Sequence, residues 1–134
     1  MEIELSDLSN FFDLDYKTYQ EDRNKRRSLE RCIENIVNAS LDIAKIILVS
    51  ENKEIPDTYK EYFLNLSTMG LISNNLSQNL AEGTKLRYIL AHQYLDIRWD
   101  SIKKFLSNKG KEYQEWLKIT KQLVTTTLKE ENQG

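Results

Sequence analysis

Between residues 23 and 50 apolar side chains recur at three- and four-residue steps: Leu29, Cys32, Ile33, Ile36, Val37, Ile43, Ala44 and Ile47. This spacing gives an α-helix one apolar face. No Gly or Pro interrupts it, so the sequence predicts a helix from about Asp22 to about Ser50, about 40 Å long at 1.5 Å per residue. Ahead of it, Leu8, Phe11, Phe12, Leu14, Tyr16 and Tyr19 alternate with acids, and a shorter helix over residues 6 to 20 is expected, capped by Ser6 or Asp7.

Glu51 to Asp57 reads as a connection, because Pro56 cannot continue the preceding helix and suits the first turn of the next. Tyr59, Tyr62, Phe63 and Leu66 then predict a helix to Met69, with Gly70 as its left-handed cap. An aromatic stripe at this spacing belongs to a core or a dimer surface more often than to a base-stacking platform. Ser73 can cap a fourth helix carrying Leu76, Leu80, Leu86 and Leu90. Gly83 lies inside it at a cost of about 1 kcal/mol against alanine, and marks either a bend or a close approach of helices. From Asp96, the expected cap of the last segment, Ile97, Ile102, Phe105, Leu106, Tyr113, Trp116, Leu117, Leu123, Val124 and Leu128 keep helical phase through Gly110. One kinked helix or two collinear ones would satisfy that pattern. The tail from Lys129 to Gly134 is polar and expected to fray.

Composition narrows the fold class further. Four Gly and one Pro in 134 residues supply too few turns for an all-β chain. The expectation is all-α: a bundle of about four to five helices, forming one domain over residues 1–134. Nineteen basic against 21 acidic residues leave a net charge of -2, so any polyanion site must be local. Arg23, Lys25, Arg26, Arg27 and Arg31 form either a solvated opening of the long helix or an RNA-contacting patch. One His and one Cys cannot assemble a zinc site within the chain, and no Gly-rich phosphate loop is present, so neither metal nor cofactor is expected. Cys32, on the apolar stripe, reads as a small core residue. The acidic N-terminus and the lack of any apolar run near 18 residues point to a soluble cytoplasmic protein with no membrane partner.

Candidate chemistry is concentrated between Lys85 and Trp99, where Arg87, His92 and Tyr94 spell R-x4-H-x-Y. Histidine suits proton transfer because its unperturbed pKa of about 6.5 lies near working pH. Arginine stays charged and can grip two phosphate oxygens at once. On a continuous helix, positions five apart point about 140° away from each other. Either the helix ends near His92 and re-aims the imidazole, or the site is completed across a two-fold axis. Asp42, among the apolar residues of the long helix with Asn38 and Ser40, can orient an arginine or histidine from another helix or face solvent.

The match extends beyond Arg87, His92 and Tyr94. Asp96 and Ile97 follow the motif, Leu29-Glu30-Arg31 stands near the start of the long helix, Ala39-Ser40-Leu41-Asp42-Ile43-Ala44 lies within it, and Pro56 precedes the third. Over roughly residues 23 to 105 the sequence resembles the HEPN-domain ribonucleases, specifically HepT-type toxins. The resemblance implies a homodimer in which two motifs form one cleft, and a metal-independent endoribonuclease with Arg87 as phosphate clamp and His92 as acid and base. It also implies an MntA-type minimal nucleotidyltransferase as antitoxin partner, which attaches AMP to Tyr94. Asp42, Tyr88 and Asp96 are supporting candidates, and Tyr88 stands where many family members carry asparagine. The alternative is a non-catalytic module that binds nucleotide or presents itself as substrate to the nucleotidyltransferase.

Overall fold

A computed structural model describes the backbone of residues 1–133 and the side chains of residues 1–126. The described residues contain seven α-helices and no strand. These are α1 (Glu2–Leu8), α2 (Tyr16–Glu21), α3 (Arg23–Ser50), α4 (Tyr59–Thr68), α5 (Asn74–His92), α6 (Leu95–Ser107) and α7 (Lys111–Gln133), with a 3-10 turn at Ser9–Phe11. Gly134 and the side chains beyond Thr126, Leu128 among them, lie outside the described residues, and so does the expectation for the tail. Helices α3 to α7 form the expected all-α bundle. No described helix is long and apolar enough to cross a membrane.

Local chemistry accounts for most boundaries. The Asp22 carboxylate accepts the Lys25 amide at 3.0 Å and starts α3, and the Ser73 hydroxyl accepts the Leu76 amide at 3.1 Å and starts α5. Gly70 takes φ 77° after α4, and the Leu71 amide reaches back to the Leu66 carbonyl at 3.0 Å.

Three expectations are corrected and one alternative is decided. The single helix over residues 6 to 20 is two, because α1 already contains Ser6 and Asp7, and Asp15 takes the Thr18 amide at 2.7 Å to start α2. Pro56 stays in the loop, and Thr58 caps α4. Asp96 does not cap α6: Tyr94 occupies that position, without a side-chain cap bond, and Asp96 falls in the first turn. Of the alternatives for the last segment, the chain forms two helices and not one kinked helix, because Lys109 and Gly110 both adopt left-handed φ (56° and 62°), which no α-helix can continue through.

Helix α3 is the spine, touching α1, α2, α4, α5 and α7. Its Leu29, Ile33, Ile36, Ala44 and Leu48 are wholly buried against a core that includes Phe63, Leu66, Leu80, Ile102 and Trp116. Each buried Leu or Ile contributes about 1.5–3 kcal/mol. Trp116 satisfies its indole by donating to the Ser40 carbonyl at 3.3 Å, which ties α7 to the middle of α3.

The alternatives left open for Gly83 resolve to close approach. A Cβ added there would stand 1.8 Å from the Tyr113 hydroxyl oxygen and 2.9 Å from the ring carbon bearing it. Glycine is therefore what lets α5, the motif helix, lie directly against α7. The Tyr113 hydroxyl is buried there with no hydrogen-bond partner among the described residues. We expect Gly83→Ala to destabilise the protein by about 1–3 kcal/mol through overpacking. Tyr113→Phe alone should be neutral or stabilising, since it removes a buried unsatisfied hydroxyl, and should recover part of the Gly83→Ala loss. Urea denaturation of the two single variants and the double variant measures all three.

Candidate functional site

The motif straddles the end of α5. His92 is the last residue of that helix, and Gln93 follows in extended conformation (φ -95°, ψ 162°) before Tyr94 caps α6. The helix ends only after His92, so the imidazole keeps its helical direction, about 140° from that of Arg87, and the helix end does not re-aim it. His92 is exposed, and its ring packs 4.6 Å from the Tyr88 ring one turn earlier. Tyr94 is 82% exposed.

Arg87 is half-buried on α5, its guanidinium carbon 5.2 Å from the centre of the Tyr59 ring on α4. Such a contact stabilises a cation without consuming its N–H donors. Among the described residues no hydrogen bond or ion pair engages this guanidinium. It lines a groove of about 490 Å³ with Glu34, Asn38, Tyr59, Thr84 and Tyr88. A second groove, of about 390 Å³, shares Asn38, Tyr59 and Arg87 and adds Leu41, Asp42, Lys45 and Tyr62. Polar positions one or two turns apart on α3 thus form one wall, facing α4 and α5.

The structure therefore connects Asp42 to Arg87, Arg87 to Tyr88 and Tyr88 to His92 pairwise, through two groove linings and one ring contact. Asp42 shares the smaller groove with Arg87 without an ion pair between them. Tyr88 links the two halves, lining the larger groove with Arg87 and stacking on His92. Arg87 and His92 do not touch each other. Asp96 is exposed on the far side of the turn and lines neither groove.

Sequence reasoning missed several participants. Tyr59 reads as part of a core stripe, yet it is 45% exposed while Tyr62, Phe63 and Leu66 are buried. Its position as the first helical residue after the Thr58 cap is the only sequence signal that separates it from them. Arg98 donates through Nε to the Gln93 carbonyl at 2.8 Å and through Nη1 to Glu30 Oε1 at 3.2 Å, while the Tyr19 hydroxyl donates to Glu30 Oε2 at 2.9 Å. Burial, followed by the Glu30 carboxylate, pushes the Tyr19 phenol far above its usual range, so it remains a donor. Of the basic cluster that opens α3, Arg26 is held internally, donating to the Tyr19 and Gln20 carbonyls at 3.1 and 2.9 Å. Arg23, Lys25, Arg27 and Arg31 are exposed.

Comparison with known proteins follows the same line. The family described as Ribonuclease HepT-like matches residues 1–120. The mRNA nuclease HepT of Shewanella oneidensis is 28% identical over 94 residues, 70% of this chain and 68% of that protein. A crystal structure of a mutant MntA-HpeT toxin-antitoxin superposes with a TM-score of 0.79 at 21% identity, over 90% of each chain. The tri-AMPylated Shewanella oneidensis HEPN toxin in complex with MNT antitoxin gives 0.72 at 20% identity, over 88% of this chain and 93% of that one. At these identities the two structures show a shared fold.

Cys32 stands apart from this region. Its thiol is buried and donates to the Glu4 carbonyl at 3.2 Å, and burial, then Asp7 and Glu4, pushes its pKa up to about 11. The folded value lies above the ordinary value of 9.0, so its effect on stability appears as a loss when pH climbs from 9.0 to about 11. Near pH 8 the folded thiol should alkylate about a hundredfold more slowly than the urea-unfolded one, from thiolate population alone. Iodoacetamide labelling followed by intact mass is the check, and equal rates in both states would refute the assignment.

Proposed function

The chain belongs to the HepT-like family, and from that premise we propose that it is an endoribonuclease toxin of a toxin-antitoxin pair, acting as a single domain over residues 1–134 and as a homodimer. The observation that carries this reading is a guanidinium, Arg87, left without an acceptor among the described residues in a groove it shares with Tyr88, whose ring packs on the exposed imidazole of His92. Phosphodiester transfer needs charge stabilisation and two proton movements, and these side chains supply both without a metal.

In the proposed reaction Arg87 holds the scissile phosphate. The RNA 2′-hydroxyl attacks phosphorus as its proton passes to an imidazole, and the bond to the 5′-oxygen breaks as that oxygen takes a proton. The products are a 2′,3′-cyclic phosphate and a 5′-hydroxyl. Two copies of the motif facing one cleft provide one His92 as base and the other as acid, and bring the Arg87 of one protomer within reach of a phosphate beside the partner's imidazole. The exposure of His92 and Tyr94 at one end of α5 supports an intermolecular cleft, because a site complete within one chain would be more enclosed.

Tyr94 serves in this reading as the regulatory handle. Its hydroxyl is accessible and makes no hydrogen bond among the described residues, so it can attack the α-phosphorus of ATP held by a minimal nucleotidyltransferase, releasing pyrophosphate. The attached AMP adds bulk and negative charge two residues from His92, opposing the docking of an RNA phosphate both sterically and electrostatically.

In an RNA cleavage assay with EDTA present, we expect wild type to cut and Arg87→Ala or His92→Ala to lose about a hundredfold or more in kcat. Cleavage unaffected by either substitution would remove both from the mechanism. Nucleotide binding without cleavage by wild type would favour the module that binds or presents rather than cuts. Incubation with a cognate nucleotidyltransferase and ATP should add mass in AMP units, and the gain should vanish in Tyr94→Phe. A gain that survives that substitution would move the acceptor elsewhere.

A further inference from the structure

Gln93 is the one residue between the histidine and the tyrosine of the motif, and both of its backbone polar groups are pinned. Its N–H donates to the Ile89 carbonyl at 3.0 Å, and its carbonyl accepts Arg98 Nε at 2.8 Å. We propose that Arg98 is a positioning residue for the site: braced by Glu30, its guanidinium holds the chain just past the end of α5, and with it the last helical turn that carries His92 and the step to the Tyr94 phenol. The catalytic consequence rests on the ribonuclease reading above, whereas the clamp itself rests on geometry.

A peptide link has only two soft torsions per residue, so holding the amide and the carbonyl of Gln93 leaves the step from α5 to α6 little freedom. Without a hold on that carbonyl, the first turn of α6 would be joined to α5 by two extended residues, Gln93 and Tyr94, that could swing. The brace reaches across the fold. Glu30 lies 68 positions away on α3, and its two oxygens are divided between Arg98 and the Tyr19 hydroxyl. With side-chain exposures of 24% for Arg98 and 14% for Glu30, the pair is shielded enough that water replaces either partner poorly. The short helix α2 completes the enclosure: the Tyr16 and Tyr19 rings pack 5.9 and 5.2 Å from Trp99, the neighbour of Arg98.

The side chain must be arginine for a stated reason. One planar group reaches a carbonyl with Nε and a carboxylate with Nη1 at the same time, and a lysine ammonium on a flexible stem has no second donor fixed in that plane. The informative substitution is therefore Arg98→Lys, which keeps the charge for Glu30 and gives up the simultaneous hold on Gln93.

The experiment compares wild type, Arg98→Lys, Glu30→Gln and a core control, Ile102→Val. It measures thermal stability, RNA cleavage and hydrogen exchange of the Gln93 amide. Arg98→Lys should lower kcat by about tenfold to a hundredfold with KM little changed, as expected for misdirected rather than missing groups. Glu30→Gln, which keeps an acceptor, should fall between it and wild type. Exchange at Gln93 should accelerate in both, while Ile102→Val loses melting temperature and keeps kcat. Unchanged kcat, a loss confined to KM, or a kcat loss in the control matching its loss of stability would overturn the proposal. If wild type cuts no RNA, the ribonuclease reading fails by itself and the Gln93 amide decides: faster exchange in Arg98→Lys upholds the clamp, and unchanged exchange refutes it.

Discussion

The end of α5 at His92 is the constraint on which the rest of this structure turns. Arg87 and His92 both belong to that helix, and their side chains leave it about 140° apart. Ending the helix there leaves the imidazole on its last, exposed turn beside Tyr88 and lets Tyr94 leave the helical path, while Arg87, one and a half turns inside, keeps the fixed orientation of a packed helix. The site thus combines a cation held by the scaffold with a titratable ring at the scaffold's edge. Such a division suits chemistry in which one group must stay charged and still while the other exchanges protons.

Two arginines near this turn show how partners rather than type decide what a residue does. Arg98 has its donors committed to a carbonyl and a carboxylate, so its charge is neutralised and its role is mechanical. Arg87 lies over the face of Tyr59, which favours the cation but accepts none of its N–H groups. Its hydrogen-bonding capacity remains available to an anion entering the groove. With a net charge of -2 the chain exerts no general attraction on nucleic acid, so an unpaired guanidinium inside a groove matters more than the number of surface lysines.

The packing beneath the site is correspondingly exacting. Gly83, one turn before Arg87, lets α5 settle against Tyr113 of α7, and Trp116, one turn further along α7, reaches the Ser40 carbonyl of α3. Arg87, Tyr59 and Asn38 therefore come from three helices whose spacing is set in part by these buried contacts of α5 and α3 with α7.

The sequence alone determined what depends on near neighbours. The period of Leu29, Ile33, Ile36 and Ala44, the caps at Asp22 and Ser73, the left-handed Gly70 and the R-x4-H-x-Y spacing are all local, so the all-α bundle, the bounds of α3 and the family were legible without coordinates. Where local cues competed, tertiary contacts decided. Tyr94 and not Asp96 heads α6 because Gln93 is pinned from both sides, and Gly83 serves close approach and not a bend because Tyr113 lies against it. The role of Tyr59 in the groove left only its place beside the Thr58 cap in the sequence, and the brace from Glu30 to Arg98 left no mark at all. The former depends on which face of α4 meets α5, and the latter joins residues 68 positions apart, a pairing that no local periodicity encodes and that exists only once the helices have packed.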